Sequence, residues 1–216
     1  MDVIKDLSFN DALTGLPNIN FFKKKLNKYI TENQNQKIYV CAVGIDDFKT
    51  INDSFGHNVG NEILKKLAER LSTQLREKDV ISRVGDEFYF YLSQSSLETG
   101  IQKKLAAILE NINNDYFIGE QIIYISSSLG VTIYPDDSQN PERMIKNASL
   151  AMHYVKRNSS NKMAFYSVSI DNNISEKKKL ENQLQNALAE DQFILHYQSF
   201  IESKNEEAIG FEALIR

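Results

Sequence analysis

Tryptophan is absent from this chain, and cysteine occurs once and proline three times in 216 residues. A lone Cys41 excludes an intrachain disulfide, and its place inside an apolar run marks it as a buried strand residue. No apolar run reaches the ~18 residues of a membrane-crossing helix, and the N-terminus carries no signal-peptide pattern. The expected compartment is therefore the cytoplasm. A basic excess is also lacking: 25 Lys and Arg stand against 29 Asp and Glu, for a net charge of −4. That balance argues against a generic binder of nucleic-acid polymers, which needs a phosphate-neutralising surface. Neither an internal repeat nor a low-complexity segment is visible.

What is present, 42% apolar and 25% charged residues, describes a globular protein with one full domain and a piece of another. Residues 1–10 read as the end of an upstream helix or linker. Asn18 is placed to cap a helix carrying Phe22, Leu26, Tyr29 and Ile30. Lys37 to Ile45 reads as a buried strand. A short segment, Asp46 to Asp53, separates it from a long amphipathic helix with Ile63, Leu64, Leu67, Leu71 and Leu75 on one face. A hairpin follows, then a helix through Ile101, Leu105, Ile108 and Ile112. Strands are expected around Ile122–Ile125 and Leu129–Tyr134, a helix from Pro141, and a closing strand at Met163–Tyr166. The strand Phe88–Tyr91 is expected to alternate between core and surface. Hairpins interleaved with helices imply an α+β fold, a mostly antiparallel sheet flanked by helices. The polar stretch 167–179 reads as a linker. Beyond it, 180–216 holds a helix with Leu180, Leu184 and Leu188 and two strands, Phe193–Phe200 and Ala208–Ile215.

The densest chemistry lies at Arg83-Val84-Gly85-Asp86-Glu87-Phe88. A Gly-Asp turn between two apolar runs signals a hairpin, and adjacent acids at its tip suit a divalent cation. The stretch resembles the signature loop of GGDEF domains, which condense two GTP into cyclic di-GMP, with one glycine of the signature missing. Further blocks match in order across 11–166. These are Asp11-Ala12-Leu13-Thr14-Gly15-Leu16-Pro17-Asn18, then Phe48-Lys49-Thr50-Ile51-Asn52-Asp53 with Gly56-His57 and Gly60, and Ala151-Met152 with Lys156. The tail, 180–216, resembles the start of an EAL domain, a TIM-like barrel that hydrolyses cyclic di-GMP, through Leu195-His196-Tyr197-Gln198 and Glu212-Ala213-Leu214-Ile215-Arg216. There Ser199 replaces the usual proline. A whole barrel needs about 200 residues or more, so this piece is not expected to be a working phosphodiesterase by itself.

The GGDEF resemblance implies Mg²⁺ as cofactor and assigns roles residue by residue. Asp86 matches the metal-binding acid and Glu87 the acid that organises catalysis. The first metal-binding Asp falls on Gly44, and a Gly there removes a hard oxygen ligand. Asp46 is its neighbour, and the alternative alignment makes Asp46 the ligand. Asn52 and Asn61 match the guanine readers, where Asn61 stands for the usual Asp and offers one acceptor where a carboxylate offers two. An ordinary exposed helix-start residue is the competing reading of Asn61. Lys156 matches a phosphate-contacting lysine, Lys49 adds positive charge, and Gly85 lets backbone approach the nucleotide. The family's following Arg falls on Ser160. Arg76 and Asp79 match an Arg-x-x-Asp inhibitory product site. In the tail, Gln198, Glu212 and Arg216 match nucleotide and metal contacts. His57 reads as packing beside its loop.

Three functions follow. A degenerate domain would bind GTP or cyclic di-GMP and regulate its own EAL domain. An active cyclase would work as a homodimer with one GTP per domain. A nucleotide-free docking module is the third.

Overall fold

The uncharged run Ile38–Ile45 forms β1, and it is buried at every position because helices cover both faces of the sheet. The computed structural model describes residues 9–76, 79–93, 100–158, 161–204 and 206–216. In order, the elements are α1 (Ile19–Glu32), β1, α2 (Phe48–Phe55), α3 (His57–Gln74), β2 (Ile81–Val84), β3 (Glu87–Ser93), α4 (Ile101–Ile112) and β4 (Tyr116–Ile118). They continue with β5 (Gln121–Ile123), β6 (Ser127–Tyr134), α5 (Pro141–Asn158), β7 (Met163–Phe165), α6 (Val168–Ala189), β8 (Leu195–Ile201) and β9 (Ala208–Ile215). The chain separates into two units, 1–170 and 171–216. The stretch read as a linker, 167–179, is helical from Val168 on, within α6.

In the first unit the strand order is β2-β3-β1-β6-β7. All pairings are antiparallel except β6 with β7, which is parallel. The expected mostly antiparallel α+β sheet is therefore a mixed one, with a parallel edge. Alternation along β1 divides the core. Tyr39, Cys41, Val43 and Ile45 face α3 and α4 in one cluster, with Leu67, Leu71, Leu105 and Ile108 fully buried. Ile38, Val40 and Ala42 face α1 and α5 in the other, with Phe22, Leu26, Met144 and Met152.

Asn18 caps α1 by accepting from the N–H groups of Asn20 and Phe21. The α5 helix lies directly on β6. A Cβ on Gly130 would collide with the backbone of Ala148 and Met152, so glycine there sets the close approach.

Three expectations need correction. β3 does not alternate between core and surface: Phe88 through Ser93 are all buried, because both sheet faces carry helices. The segment after β1 contains a helix, α2, which starts behind Asp47 in the left-handed region (φ 49°) and ends at Gly56 (φ 85°). The strand around 122–125 is half of a separate two-stranded hairpin, β4–β5, turning at Gly119-Glu120.

In the second unit, β8 and β9 form an antiparallel hairpin whose register places Gln198 opposite Glu212. Among the described residues, no helix is long and apolar enough to cross a membrane.

Candidate nucleotide site

The signature hairpin closes with a two-residue loop, since Val84 pairs with Glu87 across β2 and β3. Gly85 takes a positive φ of 65°, which the first loop position of a tight II′-type hairpin requires. The residue before it, where a second glycine is expected, is Val84, a ladder residue with its side chain exposed. The hairpin is braced from below. Arg83 donates from Nη1 to Asp11 Oδ1 at 2.7 Å, and Thr14 donates to the same oxygen through its N–H and hydroxyl. Burial pushes the Asp11 carboxyl up, but the bonds from Thr14 and Arg83 outweigh it and hold Asp11 below the usual aspartate value.

Glu87 sits beside Gly44, its partner across β3 and β1, and each of its carboxylate oxygens has a partner. Tyr89 donates its hydroxyl to Oε2, and His153 Nε2 of α5 lies 3.0 Å from Oε1. Burial pushes Glu87 up, while the bonds from His153 and Tyr89 and the nearby positive groups override it and leave its value lowered. The Tyr89 hydroxyl is pushed up by burial and by Glu87. Asp46 is likewise occupied. Ser126 and Ser128 donate their hydroxyls to its two oxygens at 2.7 and 2.8 Å, and Lys162 Nζ lies 3.0 Å away.

Asp86 faces Lys156, whose Nζ lies 3.8 Å from Oδ2. The same ammonium donates to the Ile45 carbonyl at 2.9 Å. It also stands over Gly44: a Cβ added there would lie 2.7 Å from Lys156 Nζ and 2.9 Å from Met152 Sδ. The residues present do not fit the divalent cation that the resemblance implies. The resemblance puts a metal ligand at position 44, and there an ammonium group lies where a side chain would project. Among the described residues, no three His, Cys, Asp or Glu gather to hold a metal.

Asn52 packs against the first turn of α3, where a Cβ on Gly60 would strike its Oδ1. Asn61, Lys49 and His57 are exposed. Arg76 and Asp79 close on each other: the Arg76 N–H donates to Asp79 Oδ2 at 2.9 Å and the Asp79 N–H to the Arg76 carbonyl at 2.8 Å. Both line an open cleft with Pro17, Phe21, Lys25 and Leu75. Ser160 lies outside the described residues.

On the hairpin of the second unit, Gln198 and Glu212 are direct cross-strand partners. Two-residue periodicity puts Arg216 on the Glu212 face, and Arg216 closes the hairpin with mutual backbone bonds to Ile194 at 2.9 Å.

The residues that hold the acids, His153, Tyr89, Ser126, Ser128 and Lys162, were not legible as site residues. His153 alone left a trace, lying three residues before Lys156 on one helical face.

The family model described as "Diguanylate cyclase, GGDEF domain" matches residues 8–162. The bifunctional diguanylate cyclase/cyclic di-GMP phosphodiesterase MucR of Pseudomonas aeruginosa is 31% identical over 97% of this chain and 31% of that protein. Signaling protein YkoW of Bacillus subtilis is 34% identical over 99% of this chain and 27% of that protein. The chain thus spans less than a third of the length of these relatives. Among solved structures, the GGDEF domain of TpbB (YfiN) from P. aeruginosa superposes with a TM-score of 0.68 at 27% identity, over 77% of this chain and 99% of that one. A sensory box/GGDEF family protein from Caulobacter crescentus gives 0.62 at 30% identity, over 69% and 99%. With the α+β sheet, the signature hairpin and the ordered motif blocks all in place, the chain belongs to the GGDEF family.

Proposed function

We propose that residues 11–166 are a degenerate GGDEF domain that binds GTP or cyclic di-GMP, does not condense GTP, and regulates an EAL phosphodiesterase domain beginning near residue 180. The observation that carries this reading is the engagement of the acids. Phosphoryl transfer relies on cations held by free carboxylates and on a positioned nucleophile. Here Glu87 is bonded to Tyr89 and His153, Asp46 to two serines and Lys162, and Asp86 faces an ammonium.

Part of the nucleotide-contacting set survives. Asn52 and Asn61 flank Gly60 at the α2–α3 corner, the place proposed for guanine, and Lys156 with Lys49 supplies positive charge for phosphates. Arg76 and Asp79 border a cleft suited to product. The regulatory half of the proposal draws on the relatives: MucR carries both activities in its name, and NbdA of P. aeruginosa, 29% identical over 99% of this chain, is named a cyclic di-GMP phosphodiesterase. The shared face of Gln198, Glu212 and Arg216 supports the EAL assignment of 180–216.

One observation favours an active cyclase instead: Asp86 and Glu87 both survive, and the Asp86 side chain is 40% exposed at the hairpin tip. Incubating the concentrated protein with GTP and Mg²⁺ and separating the products tests this. No cyclic di-GMP is expected, and sustained production would establish the cyclase. Calorimetry should register heat with GTP. Its absence for GTP and cyclic di-GMP alike would leave only a docking module.

A further inference from the structure

We propose that the Lys156 ammonium takes the place of the divalent cation beside Gly44, making this a site for a nucleoside phosphate bound without metal. The inference rests on the nucleotide-binding reading above and states how that binding is charged.

Three observations converge on one atom. Lys156 Nζ donates to the Ile45 carbonyl at 2.9 Å. It lies 3.8 Å from Asp86 Oδ2, and 2.7 Å from where a Cβ on residue 44 would stand. A backbone oxygen, a carboxylate and the side-chain space of position 44 form the surroundings of a hard cation. An ammonium is a compact cation with three donors that suits the same oxygens. A side chain at position 44 would crowd this spot, and at Gly44 the ammonium stands there unopposed. Lys156 matches a lysine of the family, so what sets this site apart is Gly44: with no carboxylate there, the ammonium is left as the cation beside Asp86 and the Ile45 carbonyl.

The chemistry follows from the charges. Asp86, unpartnered, would repel a phosphate, and Lys156 neutralises it. With one N–H on Ile45, further donors remain to point at a phosphate oxygen. A single positive charge does less than a divalent ion to draw charge from a phosphate in transit. The substitution thus suits binding more than transfer.

The test is calorimetry of a non-hydrolysable GTP analogue with the whole chain, in excess Mg²⁺ and in excess EDTA, with circular dichroism to confirm folding of each variant. The wild type is expected to bind equally in both, within about twofold, and Lys156→Met to lose about tenfold or more in EDTA. The double variant Gly44→Asp with Lys156→Met is expected to bind only with Mg²⁺. Wild-type binding abolished by EDTA, or EDTA binding unmoved by Lys156→Met, would overturn the proposal.

A second arm titrates Mn²⁺ alone, read by the paramagnetic resonance of the free ion. The wild type should leave Mn²⁺ free and the double variant should take it up. Uptake by the wild type that Asp86→Asn removes, or no uptake by the double variant, would overturn the proposal as well. If no nucleotide binds in either buffer, the nucleotide-binding reading falls, and the Mn²⁺ arm still decides what occupies the cation position.

Discussion

Single side chains decide more at this site than the motif does. Asp86 and Glu87 were legible as adjacent acids at a hairpin tip, but their partners were not, because His153 and Lys156 lie more than sixty residues downstream on α5. A motif specifies which groups are present; the protonation and aim of each depend on neighbours that only folding supplies. The Asp11–Arg83 pair is the clearest structural dependency at this scale, with side chains 22% and 10% exposed. Asp11→Asn is expected to cost about 1–2 kcal/mol, the value of hydrogen bonds to a charged group reduced for partial exposure. The sign of its pH dependence follows from the lowered Asp11 value. The stabilisation is present above the unfolded aspartate value, about 3.9, and is lost as pH falls through the lower folded value. Urea midpoints measured from neutral to acid pH should show the wild type losing an advantage that the Asn variant never has.

At the scale of elements, helix and strand periodicity carried most of the fold into view. The long helices and β1 lie close to where the apolar spacing puts them, with ends shifted by a few residues. α2 escaped because eight residues between a left-handed Asp47 and Gly56 give too little periodic signal, although Phe48, Ile51, Asn52 and Phe55 keep helical spacing. β3 was misjudged for a different reason: strand alternation reports burial only when one face meets solvent. Close packing of α5 on β6 yields a direct prediction. Gly130→Ala places a methyl against helix backbone that cannot yield as a side chain would, so a loss of about 1–3 kcal/mol is expected in denaturant unfolding. The signature hairpin gives another. Val84→Gly restores the missing glycine but leaves Gly44 and Lys156 unchanged, so product analysis should find no cyclic di-GMP from this variant. Appearance of product would make Val84 the single block.

Across the whole molecule, the two units differ in how they are stabilised. The first has a sheet covered on both faces and two buried clusters. The second has α6 and a hairpin with Leu195, Tyr197, Phe211 and Ile215 exposed, and a two-stranded hairpin by itself is marginal in water. Hydrogen exchange should therefore protect the amides of β1 far longer than those of β8 and β9. A chain ending at Ile170 should keep the cooperative unfolding transition of the first unit with its midpoint unchanged. A large fall in that midpoint would mean that 171–216 contributes to the stability of the first unit.

The sequence by itself determined the family, the α+β class, the order of the main elements and the presence of a glycine, without any side chain, at position 44, because periodicity and motif spacing are local properties of a chain. Only the tertiary structure decided what surrounds that glycine. Gly44 on β1, Asp86 on the signature hairpin and Lys156 on α5 are separated by 42 and then 70 residues, and their meeting depends on sheet register and on α5 lying close against β6. Register and packing bring a lysine over a glycine that carries no side chain, and no pattern of neighbouring letters records that.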